Sequence, residues 1–293
     1  RFQGSESILR GRRNQTMRKA HCNGRSRLAF LHTKSMGCDL ENLSPTWSRE
    51  QMRKLHRLYV NCELTPGEQH TLSSDSSNYL CNVLRHGAGH NIQCFNGLGT
   101  EAICTILPST KRETLIKVDE TVSESKKYNT PKLHLAIGLL KGQPMDRAIQ
   151  QSTELGATDI WLLQSDRSNV QLDEKRMAKK SHHWRQVSIS SCQQCGETFL
   201  PSIHGPTDIQ SVFQNTQSAE KMIFDPKGSQ LDKELNPKER ILFIGPEGGW
   251  SASERAYFES QKARFFSLGK RILRAENSPG VALALVSHAQ NLS

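Results

Sequence analysis

The feature that most constrains this chain is a series of short, almost wholly apolar runs in its second half: LHLAIGLL at 133–140, DIWLL at 159–163, KMIFD at 221–225, RILFI at 240–244 and RFFSL at 264–268. Apolar runs of this length without polar alternation suit strands covered on both faces, as in a parallel sheet flanked by helices. Helical patterns lie between them. Pro144 stands where a helix can start, and Met145, Ala148, Ile149, Ser152 and Leu155 recur at helical spacing before Gly156 stops it. An α/β domain with a largely parallel sheet follows. Ligands of such sheets gather at the carboxyl ends of strands, so the loops after Phe224, Ile244 and Leu268 are where chemistry is expected.

The first half reads differently. LHRLYV (55–60) has strand character and Ser77 to Leu84 a short helix with Tyr79, Leu80, Val83 and Leu84 on one face. NIQCF (91–95), the turn Asn96-Gly97-Leu98-Gly99, EAICTIL (101–107) and TLIKV (114–118) then suggest short antiparallel strands, with Asn-Gly the strongest turn signal. From Asp119 to Pro131 the composition turns to Ser, Glu, Lys, Asn and Thr, which suits a linker. The chain of 293 residues is thus read as a mainly β domain followed by an α/β domain.

Charge is unevenly spread. The formal net charge is +10, but the first 51 residues hold ten basic and four acidic residues, leaving 29 basic against 25 acidic in the remainder. Residues 1–51 lack apolar periodicity and are expected to be a disordered basic extension: a targeting peptide, an RNA-binding arm or, as preferred, sequence that is not native, with Met52 as the start. No apolar run approaches the ~18–20 residues that cross a bilayer, so no membrane association is expected. Eight scattered cysteines do not form a disulfide framework, and a reducing compartment is the default. The pair Cys192 and Cys195 has no second CxxC to complete a zinc site and falls in the helical pattern VSISSCQQCGE; no metal is expected.

Two loops could carry chemistry. Gly245-Pro246-Glu247-Gly248-Gly249 follows RILFI directly; its glycines let the backbone approach a ligand, and Ser251 with Glu254 reads as a capping box for the next helix. It is neither GxGxxG nor a Walker loop. The second, Leu268 to Asn277, sets Lys270, Arg271 and Arg274 around Ile272 and Leu273 before a helix expected to be capped by Ser278 and to carry Pro279 in its first turn. Cations between a strand end and a helix start are placed to hold an anionic substrate.

The string FIGPEGGWSASE, followed by LGKRILRAEN, resembles the C-terminal signature of the RsmE family, 16S rRNA uracil-N3 methyltransferases of the SPOUT superfamily. KGQPMDRAIQQSTELGATDI, SDRSNV, SCQQCGETFLP, MRKLHRLYV and YLCNVLRHGAGHNIQCFNG agree with it, in order, from Met52 to the end. The resemblance implies a PUA-like RNA-binding β-barrel over 52–122, a linker at 123–131 and, over 132–293, a SPOUT α/β domain with a trefoil knot. It also implies S-adenosylmethionine as cofactor, bound by Asp225-Pro226-Lys227, by Gly245, Glu247, Gly248 and Gly249, and by Leu268, Gly269, Ile272 and Leu273. The implied substrate is one uridine of 16S rRNA, in the assembled small ribosomal subunit, and the implied state is a cytoplasmic homodimer.

The proton on N3 of uracil must leave before N3 can attack a methyl group, and a cation near O2 or O4 would stabilise the anion. Arg274 is the first candidate and Arg167 the second. Glu247 and Glu276 are candidate bases, with orientation of an arginine the preferred role. Arg57, Arg85, Lys141 and Arg271 are read as phosphate contacts. The chain departs from the family pattern at Ala275 and Asn277, where threonines are usual, at Gln151, where lysine is common, and at Glu197, often an arginine. A methyltransferase for another RNA base, or a non-catalytic rRNA-binding or ribosome-assembly protein, are the alternative readings.

Overall fold

The computed structural model describes residues 47–291 apart from 109–112, 126–130, 169 and 171–173. The expected extension therefore falls, over residues 1–46, outside the described residues, and residues 45–293 group as one compact unit. Ordered structure begins before Met52, since a short helix α1 spans Arg49–Met52.

The apolar runs of the second half form strands β6 (Leu133–Gly138), β7 (Asp159–Leu163), β9 (Glu220–Gln230), β10 (Arg240–Ile244) and β11 (Arg264–Ser267), joined by β8 (Ser202–Thr207), which the sequence pattern did not reveal. They make a six-stranded sheet in the order β11-β9-β10-β6-β7-β8, and every neighbouring pair is parallel. The inner strands β6 and β10 are buried at every position. Alternation sends successive side chains to opposite faces. Leu135, Ile137, Leu242 and Ile244 join one core with Met145, Ile149, Trp184 and Leu283. Ala136, Ile241 and Phe243 join another with Phe213, Trp250 and Phe258. Trp250 comes from the loop after β10, and the helices supplying the other partners are α3 (Gln143–Glu154), α4 (Glu174–Cys195), α5 (Ile209–Asn215), α6 (Ala252–Ser260) and α7 (Ser278–Ala289).

In the first half, β1 (Arg57–Tyr59), β2 (Gln69–Thr71), β3 (Asn91–Phe95), β4 (Thr100–Ile106) and β5 (Leu115–Glu124) form a five-stranded sheet in the order β1-β3-β4-β5-β2. The β1–β3 pair is parallel and the others antiparallel. The Asn96 side chain accepts the N–H groups of Leu98 (2.8 Å) and Thr100 (3.1 Å), closing the expected turn. Gly99 is required there: its φ is +101°, and a Cβ would sit 2.0 Å from the Ser125 carbonyl. This turn docks on the second half through Leu200 N–H to Gly97 O, 2.9 Å, and Gly99 N–H to Thr198 O, 3.2 Å.

Four local expectations are corrected. The single helix over Ser77–Leu84 is instead α2 (Ser74–Asn78), capped by the Ser73 hydroxyl on Ser76 N–H, running into a π turn over Tyr79–Val83. The linker does not start at residue 119 or 123, because β5 keeps pairing with β4 out to Glu124. The N-cap of α7 is Asn277 rather than Ser278; the Ser278 hydroxyl turns back to the Arg274 carbonyl at 3.2 Å. Asp225-Pro226-Lys227 lies within the span of β9 rather than after it. It still projects, since β11 pairs Phe265 with Ile223 and then Phe266 with Ser229, leaving the residues between to bulge around a proline that has no N–H for the ladder.

Candidate active site

Three segments meet around one cleft of about 150 Å³, at the bulge within β9 and the carboxyl ends of β10 and β11. Phe224, Asp225 and Pro226 come from the β9 bulge, Gly245, Pro246, Glu247, Gly249 and Trp250 from the loop after β10, and Leu268, Gly269, Arg271, Ile272 and Leu273 from the loop after β11. Strand order explains the meeting: β10 and β11 flank β9 on either side, so their following loops close over the β9 bulge.

The loop after β10 is held from several directions. Trp250 is buried and donates its indole N–H to the Phe224 carbonyl at 3.2 Å, tying this loop to the β9 bulge. The capping box forms as read: the Ser251 hydroxyl accepts the Glu254 N–H (3.1 Å), and the Glu254 carboxylate accepts the Ser251 N–H (2.7 Å). Glu254 also accepts the N–H of Asp166 at 3.0 Å, while the Asp166 carboxylate accepts the Ser251 (2.6 Å) and Ser253 (2.9 Å) hydroxyls. Those hydroxyl bonds hold the Asp166 carboxyl below its ordinary range. Beside it, Arg167 Nη1 donates to the Gly248 carbonyl at 2.9 Å. The SDRS segment and the GPEGG segment, far apart in sequence, are thus one unit.

Gly248 faces Arg167 and not the cleft: a Cβ at Gly248 would lie 3.0 Å from Arg167 Cβ. Gly245 packs against the Trp250 ring, where a Cβ would be 3.3 Å away, and Gly249 turns the chain at φ +64°. Asp225 lines the cleft with its charge already met, paired with Arg255 Nη1 and accepting the Lys227 N–H at 2.9 Å. Arg255 in turn stacks over Phe265 at 4.9 Å.

Arg274 stands between the cleft residues Leu273 and Ala275 with 83% of its side chain exposed, and Glu276, buried, comes no closer than 4.0 Å to it. Between them Ala275 lines the cleft and packs on the core. Glu247 is exposed at the mouth, and Ile272 is 86% exposed although its neighbours Arg271 and Leu273 also border the cleft. Cleft residues missed by sequence reading are Phe224, Ile244, Trp250, Ser267 and Ser278; those beside expected loops carried the only signal.

The four residues read as phosphate contacts separate. Arg57 is a correction: its guanidinium is largely buried, bonded to Glu101 (2.7–2.8 Å), to the Cys192 carbonyl and to the Glu197 carbonyl (3.2 Å). It joins the two sheets' domains and has no free face for a phosphate. Arg271 borders the cleft, whereas Arg85, at φ +57° after the π turn, and Lys141, between β6 and α3, are exposed and do not line it. Glu197 accepts the N–H groups of Thr198 and Phe199, 2.7 and 2.9 Å, so it shapes the interdomain turn. Gln151 packs over Gly280 of α7, its Oε1 buried and without a partner. Burial pushes the Cys192 thiol up to about 12 and Cys195 is exposed; among the described residues no cluster of three His, Cys, Asp or Glu is arranged for a metal ion. No helix among those residues is long and apolar enough to cross a membrane.

Comparison with known proteins agrees with this geometry. The model of an RNA methyltransferase domain matches residues 127–287, and that of an RNA methyltransferase PUA domain matches 72–119. The ribosomal RNA small subunit methyltransferase E of Bacillus subtilis is 29% identical over 233 residues, covering 76% of this chain and 91% of that protein. Its namesake in Buchnera aphidicola subsp. Schizaphis graminum is 30% identical, covering 77% and 93%. Among solved structures, a Legionella pneumophila protein in complex with the cofactor SAM superposes with a TM-score of 0.75 at 30% identity, covering 80% of this chain and 98% of that one. The Neisseria gonorrhoeae ribosomal RNA small subunit methyltransferase E bound to S-adenosyl methionine gives 0.71 at 27%, covering 80% and 97%. With its α/β methyltransferase fold, its PUA-like domain and its cleft at the strand ends, this chain belongs to the RsmE family of RNA methyltransferases.

Proposed function

We propose that this protein transfers the methyl group of S-adenosylmethionine to N3 of one uridine in 16S rRNA, acting in the cytoplasm as a homodimer on the assembled small subunit. The observation that carries this reading is the cleft of glycine-rich loops and apolar side chains, with exposed Arg274 between two of its lining residues, Leu273 and Ala275. The residues fit the cofactor: Leu268, Ile272 and Leu273 offer apolar walls, Gly245, Gly249 and Gly269 let the backbone come close to a ligand, and Glu247, exposed at the mouth, is a carboxylate that suits a cationic sulfonium. A first domain that runs to the end of β5 at Glu124, a second over 132–293, and a trefoil knot through the C-terminal loops belong to the same proposal; the interleaved order β11-β9-β10 with α7 returning to β6 and β10 supports the knot.

The cofactor supplies an electrophilic methyl group. Everything else rests on the chain. Arg274, exposed and only loosely tethered, stabilises negative charge at O2 or O4 of the uracil as the N3 proton leaves, and Glu276 behind it sets its direction. Arg167, pinned on Gly248, is the second cation, and its anchoring carbonyl couples it to the cofactor loop. Glu247 and Glu276 are the available proton acceptors, with orientation the favoured task for Glu276. Incubation of the full chain with labelled S-adenosylmethionine and either small subunits or free rRNA, followed by nucleoside mass spectrometry, tests the reading. Label in 3-methyluridine, from subunits above all, is expected; label in another nucleoside, or none, overturns it.

A further inference from the structure

The helix α4 carries a charge pattern that neither the fold nor the cofactor cleft explains. After Glu174, the acid that opens the helix, it holds five Lys or Arg residues and two histidines and no further acid. An exposed helix ordinarily mixes charges, pairing them at i,i+4, and its amino end favours acids over cations because of the helix dipole. Here Glu174 alone answers the dipole, while Lys175 and Lys179 stand exposed in the first two turns. The nearby acid of α3 gives little relief: Asp146 accepts the buried Trp184 N–H (3.1 Å) and pairs with His183 (3.0 Å). Such a face is unfavourable alone and favourable against a polyanion.

Its course matters as much as its charge. The helix begins a few residues after Arg167, which touches the cofactor loop, and it ends where Arg57 of β1 bonds the Cys192 carbonyl. At ~1.5 Å per residue it spans roughly 33 Å from the cleft end of one domain to the sheet of the other. Beyond the first turns Arg185 is the one further cation of α4, and there a groove of about 480 Å³ opens between α4 and the first domain, lined among others by Tyr59, Asp75, Tyr79, Arg185, Gln186 and Gln193. Tyr79 is partly exposed, and Arg185 lies over the Tyr59 ring at 5.7 Å while donating to its hydroxyl at 2.8 Å. Flat rings beside amide side chains suit an unstacked base better than a phosphate.

We propose that the outer face of α4 is an RNA track: its first turns hold the phosphates of a single strand leaving the active site, and the interdomain groove takes an unpaired base of that strand. The proposal rests on the rRNA methyltransferase reading above and adds where the rRNA runs. Small-subunit rRNA binding by the full chain, measured across a salt series alongside cofactor binding and methyl incorporation, tests it. Lys175→Glu/Lys179→Glu should weaken rRNA binding at least tenfold with cofactor affinity unchanged. The neutral pair Lys175→Gln/Lys179→Gln should flatten the log–log salt slope by about 1.4, at ~0.7 per lost phosphate contact to a single strand. Tyr79→Ala should weaken binding roughly tenfold with the slope unaltered, as loss of one stacked base does. A control reversal at exposed positions elsewhere, Lys233→Glu/Lys262→Glu, should change affinity less than twofold. The track is overturned if the α4 reversal behaves like the control, if the control loses as much as the α4 pair, or if Tyr79→Ala binds as wild type. A wild-type protein that binds rRNA through α4 but leaves no methyl group on it would sink the methyltransferase reading and leave the track standing.

Discussion

Arg167 and Gly248 hold each other in place: the guanidinium donates to the Gly248 carbonyl at 2.9 Å, and the glycine has no side chain because Arg167 Cβ occupies the space. The contact fastens the loop after β7 to the loop after β10, so the cofactor cleft and the second candidate cation move as a unit. Arg167→Ala should lower methyl transfer by an order of magnitude or more while the melting temperature shifts little, because the side chain lies at the surface. Gly248→Ala should act on the same contact, pushing Arg167 aside by a few tenths of an ångström. In a double-mutant cycle the two losses should fall well short of adding. Additive losses in methyl incorporation would mean that the contact does not transmit.

Arg274 should separate chemistry from binding. Its side chain is 83% exposed and approaches buried Glu276 only to 4.0 Å, too far for a hydrogen bond, so its removal breaks no hydrogen bond. Arg274→Ala is expected to reduce methyl transfer by about 10²–10³, the usual cost of one donor aimed at developing charge, with cofactor affinity by calorimetry nearly unchanged. Equal losses in both would make Arg274 a binding or structural residue. Glu276→Gln should have the milder effect, as fits a side chain that orients Arg274.

Much of this was legible in the sequence, for identifiable reasons. The runs at β7 and β10 were placed to the residue because both faces of those strands are covered, leaving apolar runs with sharp ends. The Gly245 and Leu268 loops were found because ligand loops follow such strands. β8 escaped because Ser202–Thr207, at the sheet's edge, is buried at no position and shows no apolar run. Arg57 was misread for a related cause: a lone arginine beside a strand looks like a surface cation until the fold brings Glu101 and two carbonyls from distant segments around it. The bulge at Asp225 and the pairing of Arg167 with Gly248 depend on register and long-range contact, which local pattern does not encode.

Arg57 gives a prediction about stability. Its guanidinium satisfies Glu101 and the carbonyls of Cys192 and Glu197 in a largely buried site. Arg57→Ala leaves a buried carboxylate unpaired, at a cost of ~3–5 kcal/mol. Chemical denaturation should show that loss, and proteolysis should show a loosened junction between the β sheet and the end of α4. The salt slope of rRNA binding in the surviving folded protein should match wild type; a flattened slope would restore Arg57 to the phosphate contacts.

The amino ends of the second sheet should respond to pH through His134. This buried ring on β6 lies 3.0 Å from an Asp159 oxygen and 2.7 Å from a Glu239 oxygen, and Asp159 also binds His204 at 2.9 Å. Burial alone would lower the His134 pKa, but the two carboxylates outweigh it and raise the value above 6.5. Burial would likewise raise Asp159, yet its bonds to His134 and His204 bring it well below 3.8; Glu239 falls below 4.5, first through its bond to His134. The raised histidine contributes its stability in full below about pH 6.5 and loses it as pH climbs through the folded value. The depressed carboxylates contribute theirs above about pH 4.5 and lose it as pH falls through their folded values. The network is therefore strongest between those limits. In urea titrations the stability gap between wild type and His134→Gln should be widest near pH 5 to 6 and narrow on both sides. A gap that stays constant from pH 4 to 9 would show that His134 is neutral in the folded protein and that its carboxylates are held by other partners.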